Sequence, residues 1–387
     1  MVQRVRNRLP PSIWIAFATF VVLGGTSGLL GVSWPGIRRT FHQPLGALGL
    51  VLVADTFGYA VASAISGPVS HRIGRGWLLF GGALSAVVGL VLVVVAPAWP
   101  LLLVGYLLVG IAGGVYDGSL NAHVSLVGSV RSMNVLHGLW GLGAAAGPQL
   151  AYLMSGTSIG FRGAYLVMAV LEVGLAVTFL LTRPHWHVPE PPAHLEPREV
   201  GRRPVVLGLS LLAFFIYTGV EMAGGQWSYS VLTARGTPGA LAALSVTGFW
   251  AMLSAGRILT GVLPWHPGPR GVLGAAFAVS LAGALLFLVT PVGLPLMALG
   301  LAPIFPTMIA LNPERFGRRG AASVAGYQVG VAAAGGGVLP ALLGWLFTVA
   351  GVGLLAPLVL AALVALGVLV GATETGLWLS RRAAVPA

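Results

Sequence analysis

The sequence contains little charge and no cysteine. Of its 387 residues, 8% are charged and 57% are hydrophobic. A soluble domain carries about a quarter charged residues, so this chain could not cover a surface that faces water. Apolar runs of about 20 residues, long enough to span the hydrocarbon core of a bilayer, recur along the whole length. The composition therefore indicates an integral membrane protein.

The residue types and motifs that are missing exclude several kinds of chemistry. Without cysteine there is no disulfide framework and no thiol chemistry. All 21 basic residues are arginine and the net charge is +12, but the arginines are scattered over short loops instead of forming a nucleic-acid-binding patch. The sequence has no phosphate-binding Gly-x-x-x-x-Gly-Lys motif and no catalytic or metal-ligating pattern within its apolar runs. We therefore expect no enzyme activity, no cofactor or metal, and no nucleic-acid partner.

Twelve apolar stretches can be recognised in the sequence. In a bilayer, backbone polar groups are satisfied only within helices or closed barrels, and the alternating pattern of barrel strands is absent. The sequence therefore predicts twelve transmembrane helices, over residues 13–33, 45–69, 77–96, 101–126, 135–154, 163–181, 205–231, 240–264, 271–290, 293–311, 321–346 and 353–372.

The arginines predict the orientation of these helices, because positively charged loops stay in the cytoplasm. With a cytoplasmic N-terminus, only four arginines face the other side: Arg38, Arg39, Arg162 and Arg235. The cytoplasmic segments then contain Arg4, Arg6, Arg8, Arg72, Arg75, Arg131, Arg183, Arg198, Arg202, Arg203, Arg270, Arg315, Arg318, Arg319, Arg381 and Arg382. We expect a multi-pass protein of the cytoplasmic membrane with both termini in the cytoplasm.

A polar, proline-rich stretch divides the chain. Residues 182–204 suit an extended cytoplasmic linker between an N-terminal six-helix bundle, 1–181, and a C-terminal six-helix bundle, 205–387. The segment 141–150 resembles the segment 330–339, in the fifth and eleventh spans, which indicates a duplication. The predicted fold is all-α, with two pseudo-symmetric six-helix bundles and a site between them, an architecture of secondary transporters.

The loop after the second span, "GPVSHRIGRG" at residues 67–76, resembles the loop signature of the major facilitator superfamily, Gly-x-x-x-Asp-Arg-x-Gly-Arg-Arg/Lys. His71 stands at the position of its aspartate, and Gly76 at that of its last basic residue. In the family this loop helps to latch the outward-open state. The resemblance implies a gating role for the four matching residues, Gly67, Arg72, Gly74 and Arg75, in a latch that lacks its acid.

Further segments resemble the fucose-permease-like branch of that superfamily. They are 116–128, 131–148, 219–232, 248–261 and 302–311. Asp117 takes the place of the branch's fourth-helix glutamate and Asn121 that of its asparagine. The branch's first-helix aspartate is absent, because Gly31 stands at that position. The resemblance implies the major facilitator fold, transport by alternating access, and a monomer.

Four carboxylates fall inside predicted spans: Asp55, Asp117, Glu172 and Glu221. An ionised group at a helix centre costs about 2.5–3.5 kcal/mol on insertion scales. An acid that alternates between protonated and charged forms could couple transport to protons, and Asp117, Glu221 and Asp55 are the candidates. Asp117 lies near the bilayer midplane with Asn121 one turn away on the same face. Alternatively, Asp117 and Asp55 serve as structural hydrogen-bonders, and Glu221 neutralises Arg257.

Candidate solute-binding residues cluster in three places. In the seventh span, Gly224 and Gly225 permit a helix break. After them, Gln226 offers an amide, and Trp227 and Tyr229 offer ring faces on which a solute could stack. Alternatively, the two aromatic residues belong to an aromatic belt at the membrane interface. Asn121 in the fourth span is a further candidate. At the starts of the fifth and eleventh spans lie two polar pairs that could line an inner vestibule or gate: Asn134 with His137, and Tyr327 with Gln328. His137 could instead bond two helices together. His185, His187 and His194 lack metal-ligand spacing.

These observations favour a proton-coupled secondary transporter that imports a small polar solute, a sugar or related polyol. The alternative is a proton-coupled efflux antiporter for drugs or other lipophilic cations. Sodium stays open as the coupling ion, and so does a facilitator without coupling, because one acid typical of the branch is missing. A cavity lined by amides and hydroxyls favours the sugar, and an apolar aromatic cavity favours the drug.

Overall fold

The computed structural model describes residues 9–186, 204–262 and 268–383, and their regular structure is entirely helical. The predicted linker thus lies mostly outside the described residues, together with His187, His194 and the arginines at positions 4, 6, 8, 198, 202 and 203. The helices are α1 Pro11–Thr40, α2 Leu48–Ile73, α3 Arg75–Val95, α4 Trp99–Val127, α5 Val130–Ser155, α6 Phe161–Thr182, α7 Pro204–Ala234, α8 Gly239–Val262, α9 Gly268–Phe287, α10 Gly293–Leu301, α11 Ile304–Ala310, α12 Asn312–Ala350 and α13 Leu355–Ala383.

The predicted spans are confirmed as helices. Eleven helical segments of the described residues are long and apolar enough to cross a membrane. The remaining span corresponds to α5, whose 26 residues extend about 39 Å at 1.5 Å per residue, but whose composition is more polar. The tenth span consists of two helices, α10 and α11, because the chain leaves the helix around Pro303.

Several predicted boundaries and one predicted break need correction. The largest extension is that of the twelfth span, whose helix α13 continues to Ala383. The helical element that contains the eleventh span begins earlier than predicted, at Asn312. Within it, Gly317 (φ 79°, ψ 158°) marks a turn that requires glycine. The first span extends through Pro35 to Thr40. The pair Gly224 and Gly225 does not break α7; it admits the rings of Phe249 and Trp250 from α8 against the helix.

The helices of the two halves pack in the same pattern: each main contact in the N-terminal half has an equivalent six spans later in the C-terminal half. In the N-terminal half, α1 packs on α5, α2 on α4, and α3 on α6. In the C-terminal half, α7 packs on α12, α8 on α10, and α9 on α13. Because α12 and α13 are the eleventh and twelfth spans, these are equivalent pairs. The structure therefore consists of two pseudo-symmetric six-helix halves.

The two halves meet along three helix pairs, α2 with α12, α5 with α8, and α1 with α7. We call the membrane side on which α1 begins proximal and the side on which it ends distal. On the distal side, Gly46 N–H donates to Thr348 Oγ1 at 3.2 Å, and Gly49 faces the backbone of Ala341. Towards the proximal side, Tyr327 of α12 is 53% exposed, and outside their own stretch of helix none of the described atoms lies within 4 Å of where a Cβ would stand at Gly326 or Gly330. Between α2 and α12, the halves are closed distally and open proximally.

Candidate solute and coupling-ion site

Asp117 lies half-buried on α4 among neutral polar groups. Asn121, one turn further along α4, donates from Nδ2 to Asp117 Oδ1 at 2.9 Å. The hydroxyl of Tyr59 on α2 lies within electrostatic reach of the same carboxylate, because Gly114 of α4 packs directly on the Tyr59 backbone. Within the described part of the chain, no salt bridge to Asp117 is formed.

His137 of α5 faces Asp117 from the neighbouring helix. Its side chain is exposed, yet it lies within electrostatic reach of both Asp117 and Arg257. The exposed surface therefore faces the space between the halves. The Phe20 ring meets the imidazole edge to face at 5.6 Å. Among the described residues His137 makes no hydrogen bond, so the alternative role of an interhelical bonder is not observed.

Glu221 of α7 forms an ion pair with Arg257 of α8. Arg257 Nη2 donates to Glu221 Oε2 at 2.7 Å, and the side chains are 32% and 7% exposed respectively. The same Nη2 approaches the Tyr217 hydroxyl at 3.4 Å, and that hydroxyl donates to the Leu301 carbonyl at 3.1 Å. This arrangement is the neutralised pair that was the alternative to proton coupling by Glu221.

Asp55 lies on α2 one turn before Tyr59, where the Asp55 backbone packs on Gly110 of α4. It is half-buried and within electrostatic reach of Tyr59, Tyr106 and Tyr165. Polar side chains thus run from Asp55 through Tyr59 to Asp117. No cation among the described residues pairs with Asp55.

Glu172 of α6 lies on the opposite side of α4 and belongs to a separate contact. The Tyr116 hydroxyl of α4 donates to Glu172 Oε2 at 2.6 Å. Both side chains are buried. Because Tyr116 and Asp117 are neighbours on one helix, they point to different faces, and Glu172 stays outside the site.

Gln226 of α7 contacts the N-terminal half on the distal side of Asp117. Its Nε2 donates to the Ser27 carbonyl of α1 at 3.2 Å, where Gly31 packs on the Gln226 backbone. Gln226 Oε1 is buried without a hydrogen-bond partner, and so is Trp250 Nε1. The acceptor Gln226 Oε1 and the donor Trp250 Nε1, both in the C-terminal half, are therefore unused where the halves meet towards the distal side.

Trp227 and Tyr229 do not lie beside Gln226 in the site. The Trp227 ring is completely buried, donates from Nε1 to the Pro340 carbonyl at 2.9 Å, and meets Phe347 edge to face at 5.0 Å. No face of this indole is left for a solute in this conformation. Tyr229 lies further towards the distal side, next to Tyr152, which matches the interfacial alternative.

The polar pairs at the starts of α5 and of the eleventh span are only partly brought together. Asn134 and Tyr327 are exposed, as residues of a vestibule would be. Gln328 is fully buried: its Oε1 accepts from Asn312 Nδ2 at 2.7 Å and its Nε2 donates to Ser210 Oγ at 2.7 Å. The structure therefore places Gln328 in the packing of the C-terminal half instead of a vestibule.

The signature loop lies on the proximal side. Gly67 and Arg72 are exposed. Gly74 ends α2 with φ 87°, a left-handed value that favours glycine, and its N–H donates to the Ser70 carbonyl at 2.9 Å. Arg75 is buried at the start of α3. A pocket of about 350 Å³ is lined by residues 73–77 of the N-terminal half and by Arg183 and Pro184 at the start of the linker.

Sequence reasoning missed three residues of this site. Tyr59 and Trp250 were not recognised, and Arg257 was considered only as the partner of Glu221. The signal that would have found Arg257 is its position, because it is the single arginine within a predicted span.

Three curated relatives align with large parts of the chain. A sodium-dependent glucose transporter 1A of Mus musculus is 24% identical over 62% of this chain and 66% of its own length. The minor myo-inositol transporter IolF of Bacillus subtilis is 24% identical over 82% of this chain and 75% of its own length. An uncharacterized transporter of Bacillus subtilis, YceJ, is 24% identical over 56% of this chain. The chain spans 57% of the length of YceJ.

Solved structures share the fold at low sequence identity. The nucleoside transporter NupG superposes with a TM-score of 0.75 at 14% identity, covering 94% of this chain and 98% of NupG. The E. coli fucose:proton symporter FucP superposes with a TM-score of 0.60 at 17% identity, covering 92% of this chain and 97% of FucP.

The family model described as Major Facilitator Superfamily matches residues 15–340. The two six-helix halves and the structural neighbours agree with that match. The chain belongs to the Major Facilitator Superfamily, whose members are membrane transporters and not enzymes, and it is a multi-pass membrane protein.

Proposed function

We propose that this protein is a proton-coupled secondary transporter of a sugar or related polyol. The N-terminal bundle, 1–181, and the C-terminal bundle, 205–387, would alternate access to a site between them, connected by the linker 182–204. The monomer is the functional unit.

The observation that carries the proposal is the environment of Asp117. This carboxylate lies near the middle of α4, accepts from the Asn121 amide, has the Tyr59 phenol within electrostatic reach and pairs with no arginine among the described residues. A charged acid at mid-depth in the membrane would be costly. Protonation together with solute binding would remove that charge from the loaded carrier, and release of both inside would leave an empty carrier that returns without the proton. Glu221, by contrast, has a compensating cation in Arg257.

The polar groups between the halves favour a solute rich in hydroxyls. Asn121 Oδ1 and Gln226 Oε1 are buried acceptors without hydrogen-bond partners among the described residues, which a rearrangement of the site would make available to hydroxyl donors, whereas Trp227 and Trp250 are buried in helix packing. An apolar aromatic cavity, which an efflux antiporter for lipophilic cations would need, is not formed by the described aromatic residues in this conformation. The glucose and myo-inositol relatives and the fucose:proton symporter support the same solute class.

The distribution of arginine supports a proximal side that faces the cytoplasm. Among the described residues, the proximal ends of the helices and their loops contain Arg72, Arg75, Arg131, Arg183, Arg270 and Arg315. The distal side contains Arg38, Arg39, Arg162 and Arg235. By the positive-inside rule, both termini are cytoplasmic and the protein belongs in the cytoplasmic membrane. The state described here would then be inward-open.

The test is transport by purified protein in proteoliposomes, with glucose, fucose and myo-inositol as labelled solutes. An inward proton gradient should drive accumulation, and an equal sodium gradient at constant pH should not. Asp117→Asn should abolish gradient-driven accumulation while solute exchange between equal compartments continues. Glu172→Gln, a buried acid outside the site, is the matched control and should behave like wild type.

Two results would contradict the proposal. If a sodium gradient drives accumulation and a proton gradient does not, the coupling ion is wrong. If none of these solutes exchanges but a lipophilic cation is extruded, the efflux alternative replaces the sugar transporter.

A further inference from the structure

We infer that the solute of this site is anionic, a polyhydroxylated carboxylate of the sugar-acid class, whose carboxylate binds between Arg257 and His137. The inference rests on the proposed transport function and narrows its solute class. A neutral sugar would leave the exposed part of Arg257 without a role.

The packing of α5 against α8 brings the imidazole of His137 and the guanidinium of Arg257 to one place. A Cβ at Gly138 would lie 3.2 Å from Ile258 Cδ1, and Gly141 packs on Ser254. His137 directly precedes Gly138 on α5, and Arg257 directly precedes Ile258 on α8. They therefore flank the close contact between Gly138 and Ile258, which joins the two halves. The electrostatic reach between His137 and Arg257 agrees with that placement.

Arg257 has donors to spare. A guanidinium group carries five N–H donors, and the hydrogen bonds of Arg257 among the described residues all use Nη2. The side chain is 32% exposed, although its partner Glu221 is 7% exposed. An arginine present only to neutralise Glu221 could be buried with it. The free donors have the planar geometry that binds a carboxylate in a bidentate manner.

His137 supplies the second side of the carboxylate site. Its ring is exposed to the cavity and held edge to face by Phe20 at 5.6 Å. Its nitrogens are unused among the described residues. On α4 and α2, Asp117, Asn121 and Tyr59 then face the hydroxyl groups of the same solute.

The charges of the cavity also fit an anion that enters with a proton. Arg257 and Glu221 cancel each other, and Asp117 contributes one negative charge. An anionic solute would raise the repulsion unless Asp117 or His137 takes up a proton, since charges a few ångströms apart in a poorly screened site interact strongly. Binding of the anion and of the proton would therefore favour each other. The binding of a neutral sugar would not be linked in this electrostatic way to the binding of a proton.

The experiment compares glucuronate with glucose, which differ at one carbon, the carboxylate of glucuronate replacing a hydroxymethyl group. Saturable thermal stabilisation of the purified full-length protein is measured for each solute, with potassium chloride at equal ionic strength as the salt control. We expect glucuronate to bind at least about tenfold more tightly than glucose, because hydrogen bonds to charged groups are the stronger ones. Arg131→Gln, an exposed arginine on α5, is a matched control and should keep this preference.

Arg257→Gln alone leaves Glu221 unpaired and could prevent folding. The double variant Glu221→Gln with Arg257→Gln keeps the pair neutral, and His137→Asn leaves it untouched. Both should lose the preference for glucuronate and retain weak binding of glucose.

If glucose binds as tightly as glucuronate, the inference is overturned and the proposed sugar transporter stands. A preference for glucuronate that persists in both variants would also overturn it, because the carboxylate would then bind elsewhere. If neither sugar stabilises the protein but a lipophilic cation does, the proposed function falls as well.

Discussion

Asp117 in the N-terminal half and Glu221 in the C-terminal half are both carboxylates near the middle of a helix, but their partners differ. Glu221 is buried and paired with Arg257 at 2.7 Å. Asp117 is half-buried and meets an amide and a phenol. The pseudo-symmetry of the halves does not extend to their charges.

The difference separates a charge that stabilises the structure from one that is available to change. In a buried ion pair each group compensates the desolvation of the other, so neither gains or loses a proton easily without the other becoming unpaired. Asp117 has no such constraint. Asp117 and Asp55 are therefore suited to coupling, and the ion pair of the C-terminal half is suited to holding α7 and α8 in place while it presents Arg257 to the space between the halves.

The largest effect on stability should follow from Glu221→Gln. This change leaves Arg257 as an unpaired charge, which costs about 3–5 kcal/mol for a buried pair. We expect the lower end of that range, since the Arg257 side chain is 32% exposed. Thermal unfolding in detergent, followed by circular dichroism, measures the loss as a reduced Tm. The double variant with Arg257→Gln should recover most of it; a single variant as stable as wild type would show that the pair is dispensable.

Part of this comparison could be read from the sequence. The contact between Asp117 and Asn121 follows from their spacing on one helix face, and the pairing of Glu221 with Arg257 was one of two alternatives. The twelve spans followed from hydrophobicity alone. Each of these depends on local spacing or composition, which a single sequence displays.

The rest depends on which helix faces meet. Tyr59 reaches Asp117 because glycines of α4 allow α2 to approach, and no pattern in the sequence states that α2 is the neighbour. Trp227 appeared suited to stacking on a solute, but its indole bonds to the Pro340 carbonyl of α12. Gln328 was expected in a vestibule and bonds to Asn312 and Ser210. In a helix that is apolar all round, periodicity does not reveal which face is buried.

A second, smaller loss of stability should follow from Tyr116→Phe. Glu172 is 3% exposed, and Tyr116 donates to it at 2.6 Å. Removing the hydroxyl leaves a buried carboxyl oxygen unsatisfied, which costs about 1–3 kcal/mol. The Tm should fall, whereas solute exchange in proteoliposomes should be unchanged, because Glu172 lies outside the site. A selective loss of transport at unchanged Tm would contradict this assignment.

Tyr59→Phe should have a smaller effect on stability than Tyr116→Phe, although it too removes a hydroxyl next to an acid. Asp117 is half-buried, so water from the cavity can replace the lost donor, and the expected cost is about 1 kcal/mol or less. The two tyrosine variants are compared by Tm under identical conditions. An equal loss in both would mean that Asp117 is as dry as Glu172, and the contrast between the acids would disappear.

The smallest effect on stability belongs to Asp117→Asn, which should still abolish coupling. The asparagine oxygen can accept from Asn121 Nδ2 as the carboxylate does at 2.9 Å, and the change removes a charge that is costly in the membrane. We therefore expect a Tm equal to or slightly above that of wild type, within about 1 kcal/mol. In the same preparation, proton-driven accumulation should be lost and solute exchange retained. A strong fall in Tm would instead assign Asp117 the structural role that Glu221 has, and the difference between the two halves would no longer identify the coupling acid.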